Sequence, residues 1–187
     1  GIGTSARWTG EITKLRLTAT ASAAGMRCMI LVHSGDGFKI NHNFLDMISA
    51  PEAVQLYLRH GIEGINNGAW SSGDIYRANG EINFNRFVIE NDVDGCEGFG
   101  MGGADSIQMT GNYIHGVGDD PLVYHLCTNS SIVDNRVYTI DGRILASNSI
   151  GIIITGNYTE RVADSLGAYH GTGSMISLEH EFGGATP

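Results

Sequence analysis

The sequence predicts an all-β chain wound as a parallel solenoid, and three observations carry that prediction. Residues 106–114 (SIQMTGNYI) alternate apolar and polar, break at Gly111-Asn112 and resume at Ile114; alternation reads as a half-buried strand and Gly-Asn as a corner. Asparagines in the same setting recur at Asn43, Asn85, Asn112, Asn135 and Asn157, separated by 42, 27, 23 and 22 residues. A repeat near 22 residues is the period of a solenoid coil. The apolar register also holds: three residues before each Asn stand Ile40, Ile82, Met109, Ile132 and Ile154, and two after stand Leu45, Phe87, Ile114, Val137 and Thr159.

Equal positions on successive coils stack at the parallel-strand spacing of about 4.8 Å. The two apolar columns therefore face a common core. A looser column five residues before each Asn holds Phe38, Gly80, Ile107, Ser130 and Ile152. The Asn column is expected to be an inward ladder of side-chain amides, each bonded to the coils above and below.

Taken in order, residues 11–18 (EITKLRLT) alternate as a strand and pass into a small-residue connector, TATASAAG. Residues 26–32 form a continuous apolar run suited to a strand covered on both faces. Ser34-Gly35-Asp36-Gly37 turns it into the first repeat. The 42-residue gap that follows reads as an insertion, with Ser49-Ala50-Pro51-Glu52 as a capping box and Gly61 as a stop. One short helix is expected at 51–60. Residues 61–80, rich in Gly, Asn and Ser, read as a degenerate coil or a long loop. Clean coils run from 81 to about 160, and residues 174–179 (SMISLE) keep the 22-residue step, with Ile176 in the apolar column and Glu179 replacing the ladder Asn.

Composition agrees with one domain spanning 1–187. Gly is high at 27, Pro low at 3, and 17% of residues are charged, which suits short strands joined by tight corners. A net charge of −9 with two lysines, Lys14 and Lys39, argues against nucleic-acid partners and anionic membranes. No apolar run is long enough for a membrane helix. Cys28, Cys96 and Cys127 fall at different places in their coils, so free thiols are expected. Because an open solenoid end exposes strand edges, the chain is expected to be a piece of a longer one or to have its ends covered by partners.

The register turns positions into surface columns. Six or seven residues after the ladder Asn lie Asp92, Asp119, Asp141 and Asp164, with Asp94 and Asp120 beside the first two. Carboxylates on neighbouring coils fall near the separations used in glycoside hydrolysis, about 5–5.5 Å for a nucleophile with an acid and about 6.5–9.5 Å for water attack. Two other readings fit the column: carboxylates that satisfy their own turns, and calcium held by oxygens of adjacent coils. Apart from that ion no cofactor is expected. Nine or ten residues before the next ladder position lie His125, Asn148 and His170, with Tyr124 and Tyr169 adjoining the histidines. Tyr-His over Tyr-His reads as a sugar platform, or as turn histidines with half-buried tyrosines. His115 and Tyr138 share a column that reads as an exposed strand face.

Through these I-x-x-N-x-I repeats, over roughly residues 25–180, the sequence resembles the right-handed parallel β-helix superfamily, which includes pectate lyases, polygalacturonases, and the tailspikes and capsule depolymerases of bacteriophages. The resemblance implies a right-handed coil, with seven or eight turns of about 22 residues expected here. Asn91-Asp92-Val93-Asp94-Gly95 and Gly118-Asp119-Asp120 are similar to the first two polygalacturonase motifs and lie one coil apart. Tyr169-His170-Gly171 hints at the third, and Arg143-Ile144-Leu145 comes too early and lacks the lysine of the fourth. In its irregular Gly-rich coils and acidic balance the chain looks more like a tailspike. That resemblance implies a homotrimer in a virion tail or another extracellular setting, with a bacterial surface polysaccharide bound and cleaved by a glycoside hydrolase or lyase. Asp92, Asp94, Asp119 and Asp120 are then the catalytic candidates, and Tyr124, His125, Tyr169 and His170 the sugar contacts. The competing expectation is a non-catalytic structural or adhesive segment of a fibre or surface protein.

Overall fold

The computed structural model describes residues 9–21, 28–33, 36–49, 60–65, 76–90, 97–164, 166–170 and 173–179. They form a parallel β-solenoid with no helix among them. Three parallel sheets, each six strands deep, make its faces. The first stacks Glu11–Thr13, Lys39–Asn41, Glu81–Asn83, Gln108–Thr110, Ser131–Val133 and Ile153–Thr155. The second stacks Arg16–Ala21, Phe44–Ser49, Arg86–Glu90, Tyr113–Val117, Arg136–Thr139 and Tyr158–Arg161. The third stacks Cys28–His33, His60–Ile65, Glu97–Gly102, Leu122–His125, Ile144–Ser147 and Ile176–Glu179. The regular part, from Glu81 onward, comprises about four turns roughly 25 residues apart.

The core is built from the columns read off the sequence. Ile12, Ile40, Ile82, Met109, Ile132 and Ile154 are paired in register along the first face. Leu17, Leu45, Phe87, Ile114, Val137 and Thr159 are paired along the second. From Ile40 to Ile132 and from Leu45 to Val137 these side chains have no exposed surface. Each buried aliphatic or aromatic side chain of this size contributes about 1.5–3 kcal/mol. Gly80 fits the looser column for a steric reason: a Cβ there would lie 2.3 Å from the Phe38 ring and 2.9 Å from Ile107.

The Asn ladder is continuous from Asn43 to Asn157. Each Nδ2 donates to the Oδ1 of the next coil, at 2.9, 3.1, 3.0 and 2.9 Å. Each also donates to a carbonyl of the previous coil, as Asn112 does to Ile82 O at 2.8 Å. The same Oδ1 accepts the backbone N–H of the preceding ladder residue, beginning with Leu15 N–H to Asn43 at 3.0 Å. The amide thus stands where a straight strand would offer a backbone carbonyl.

The reason a carbonyl is missing there lies one residue upstream. Lys14, His42, Phe84, Gly111, Asp134 and Gly156 all have φ between 54° and 67°. This left-handed residue turns the chain from the first face to the second. Only two of the six are glycines, although the conformation costs other residues about 1–2 kcal/mol. Phe84 stacks on His42 with centroids 5.2 Å apart, and a Cβ on Gly111 would lie 2.5 Å from the Phe84 ring. Gly111→Ala is therefore expected to destabilise the fold by about 2 kcal/mol, from steric overlap added to backbone strain. Phe84→Asn, which suits the left-handed region and vacates the ring's space, is expected to recover at least half of that loss. A double-mutant cycle in urea checks this; additive single effects would show that the ring and the glycine do not constrain each other.

Several expectations change. The small-residue connector after residue 18 is strand as far as Ala21, paired with Phe44–Ser49. The helix expected at 51–60 falls on 51–59, outside the described residues, and His60 already begins a strand. Part of the hard-to-read 61–80 stretch belongs to that strand, and Tyr76–Arg77 pairs with Ala104–Asp105 at the corner between third and first faces. The spacing predicts seven or eight coils, whereas each face stacks six strands among the described residues. Ile176–Glu179 does not begin a further coil. It pairs with Ile144–Ser147 and completes the third face of the coil begun at Ile153. Sequence spacing misplaces it because the link from the second to the third face, four residues at 140–143, lengthens to fourteen at 162–175. Cys127 is a free, buried thiol whose pKa is pushed up to about 12 by burial; Cys96 lies outside the described residues.

Candidate functional site at the corner between the second and third faces

The corner loops that carry the chain from the second face to the third bring the candidate carboxylates together. Asp119 and Asp120 belong to residues 118–121, and Asp141 to residues 140–143 one coil on. With Gly118, Gly142, Arg143, Arg161, Gly173 and Ser174 they line an open groove of about 290 Å³. Gly142 is essential to this stacking, since a Cβ there would lie 1.9 Å from the Asp119 carbonyl oxygen. Thr139 ties the two loops: its hydroxyl donates to Val117 O at 3.0 Å and accepts the Gly142 N–H at 3.0 Å.

Asp120 is a perturbed carboxyl in the groove. Its side chain is 16% exposed and accepts the Arg143 N–H at 3.0 Å. Burial, reinforced by the negative charges of Asp119 and Glu97, raises its pKa to about 6 against the lowering effect of Arg143. At mildly acidic pH this carboxyl is part protonated, the state a general acid needs.

Both arginines of the groove are engaged. Arg143 Nη2 lies 2.7 Å from Glu179 Oε1 and its Nε 3.8 Å from Asp120. Arg161 donates through Nη1 to Asp141 Oδ1 at 3.1 Å, and to the carbonyls of Asp141, His170 and, through Nη2, Gly173. Arg161 thereby folds the long link back against the groove.

Asp164, predicted in the same column, does something else. Its side chain is 3% exposed, and its Oδ1 accepts the N–H groups of Leu166 and Ala168, each at 2.8 Å. Its Oδ2 meets His170 Nε2 at 2.7 Å. These contacts, the His170 hydrogen bond first, hold the carboxyl below the usual carboxylate range. Here the turn reading of the column is the observed one. A depressed folded-state pKa gives stability that is present above the unfolded pKa and is lost as pH falls through the folded value. Amide protection of Leu166 and Ala168, corrected for intrinsic exchange, is thus expected to persist at neutral pH and to fall below about pH 3.9. Constant protection through that range would show that the carboxylate does not hold the turn.

Asp92 and Asp94 lie outside the described residues. Tyr124 requires a correction: it has no exposed surface and cannot meet a ligand. Its ring crosses the core, and its hydroxyl donates to Ile107 O at 3.1 Å or Ser131 O at 2.8 Å. The two Tyr-His pairs are not stacked either. Tyr124 and His125 are followed in register by Ala146 and Ser147, then Leu178 and Glu179. His125 is half-buried on the third face, while Tyr169 and His170 are exposed in the long link.

The His115–Tyr138 column, expected as an exposed strand face, is part of an aromatic strip on the second face whose other members sequence reasoning passed over. Tyr113 lies 5.6 Å from Tyr138, which lies 5.8 Å from Tyr158, and His115 flanks Tyr138 at 5.6 Å. Arg86 covers Tyr113 and pairs with Asp46. The column one residue after the ladder Asn (Phe44, Arg86, Tyr113, Arg136 and Tyr158) carried that signal. Among the described residues, no group of three or more His, Cys, Asp or Glu side chains is placed to hold a metal ion. In comparison with known proteins, the chain matches no family model, no curated protein and no solved structure.

Proposed function

We propose that the chain is a carbohydrate-active solenoid of tailspike character, which binds a bacterial surface polysaccharide and hydrolyses it in the corner groove. One observation carries this reading: Asp119, Asp120 and Asp141 converge in a single groove, where burial raises the pKa of Asp120 to about 6. In this reading Asp120 protonates the leaving glycosidic oxygen, and Asp119 or Asp141 activates water or attacks the anomeric carbon. Hydrolysis is favoured over elimination because a lyase must neutralise a uronate carboxylate, and both groove arginines are already paired. A tailspike setting adds a homotrimer at a virion tail or another extracellular surface.

The same ion pairs favour a second reading. Asp120 is tied to Arg143 and Asp141 to Arg161, each one coil on, which are contacts a purely structural or adhesive segment would also use to clamp its coils. Release of reducing ends from purified capsular polysaccharides and O-antigens separates the two. Cleavage without an unsaturated product, lost in Asp119→Asn or Asp120→Asn, supports hydrolysis. Cleavage intact in both variants removes these carboxylates from the reaction and overturns the groove mechanism; no glycan cleaved by the wild type leaves the structural reading.

A further inference from the structure

We propose that the second face carries a separate, non-catalytic binding site for a neutral saccharide, centred on Tyr138 and Tyr158. An open pocket of about 480 Å³ lies there, lined by Asp134, Asn135, Arg136, Tyr138, Gly156 and Tyr158. The site exists for a backbone reason. The left-handed corner residue is Asp134 on one coil and Gly156 on the next, and a Cβ at Gly156 would lie 2.0 Å from Asp134 Oδ1. The absent side chain lets the Asp134 carboxylate lie across Gly156, where it lines the pocket with Tyr158.

The chemistry of the lining selects the ligand. Elsewhere on this surface Arg16, Arg86, Arg143 and Arg161 are all paired with carboxylates. The side chains of Arg136 and Asp134, by contrast, make no hydrogen bond or ion pair among the described residues. One unengaged donor fork and one unengaged acceptor thus flank two tyrosine rings. Tyr158 is 52% exposed, and its hydroxyl is fixed by Glu160 Oε2 at 2.7 Å, which sets the ring's orientation. Hydroxyl groups both donate and accept, so a polyol ring satisfies Arg136 and Asp134 together. Its C–H face covers an aromatic ring, which also presents an apolar body. Asp134 and Glu160 disfavour an anionic ligand, and Arg136 disfavours a cationic one. The tyrosines continue along the solenoid axis to Tyr113, so the strip admits more than one sugar unit.

This inference shares only the ligand class of the corner groove, on which it otherwise does not depend. The test uses an immobilised panel of neutral bacterial oligosaccharides, with sedimentation measured in parallel. At least one member is expected to bind. Tyr158→Ala and Arg136→Ala are each expected to weaken that binding about tenfold, while Asp120→Asn retains it. The proposal is overturned if no neutral oligosaccharide binds, or if Tyr158→Ala and Arg136→Ala leave affinity unchanged. It is also overturned if Tyr158→Ala converts an oligomer to a monomer, which would make the strip an interface between copies. Binding lost in Tyr158→Ala with cleavage retained separates this site from the groove. Binding without any cleavage sinks the hydrolase reading and leaves this one standing.

Discussion

Asn112→Ala is expected to destabilise the solenoid by about 4 kcal/mol, a large fraction of the stability margin of a domain. The side chain makes four hydrogen bonds: Oδ1 accepts from Asn85 N–H and Nδ2, and Nδ2 donates to Ile82 O and Asn135 Oδ1. Truncation leaves two donors of Asn85 and the carbonyl of Ile82 buried without partners, each costing about 1–3 kcal/mol. Asn157→Ala, at the end of the ladder where water replaces the lost contacts, is expected to cost nearer to about 1 kcal/mol. Urea midpoints at unchanged m-value measure the difference. Equal costs at the two positions would show that the ladder does not act as a buried unit. Asn112→Asp supplies a further check, because a carboxylate cannot donate to Asn135 Oδ1. That variant is expected to gain stability as pH falls and the carboxyl regains a proton.

Asp120→Asn is expected to lower glycan cleavage by about 10²–10⁴-fold, the usual contribution of a positioned general acid. The wild-type rate should depend on Asp120 in its protonated form, so activity is expected to decline as pH rises through about 6. The stability effect has the opposite direction from the loss of activity. A carboxyl whose folded pKa is raised contributes stability that is complete below its unfolded value and lost as pH rises through the folded value. At pH 7 the ionised Asp120 is therefore a liability, and the neutral amide is expected to stabilise by on the order of 1 kcal/mol once solvent screening is discounted. The substituted amide would also keep an Oδ1 acceptor for the Arg143 N–H. A variant that loses cleavage and melts higher would identify Asp120 as a group held in strain for function. One that loses stability and keeps cleavage would identify it as a structural clamp on Arg143.

The sequence was a good guide wherever a residue's role is repeated on every coil. Parallel stacking locks equal positions at one spacing, so an inward-facing residue must match the residues above and below it. Period, apolar columns and amide ladder were legible for that reason. Glycine announces a left-handed corner and Asn, Asp and His favour it more weakly, so Phe84 and Lys14 gave no sign of theirs. Adjacency to His125 suggests a surface pair for Tyr124, whereas the alternation from Leu122 already places its ring inward.

The groove belongs to the other category. By itself the sequence determined the solenoid, the two apolar columns and the Asn ladder, because these are enforced coil by coil through short-range pairing. Only the tertiary structure decided that Asp119, Asp120 and Asp141 share a groove with Arg143 and Arg161 while Asp164 is withdrawn into its own turn. The corner links differ in length, and what each presents depends on how it packs on its neighbours. The unequal link at 162–175 obeys no period, yet it places the groove's last wall.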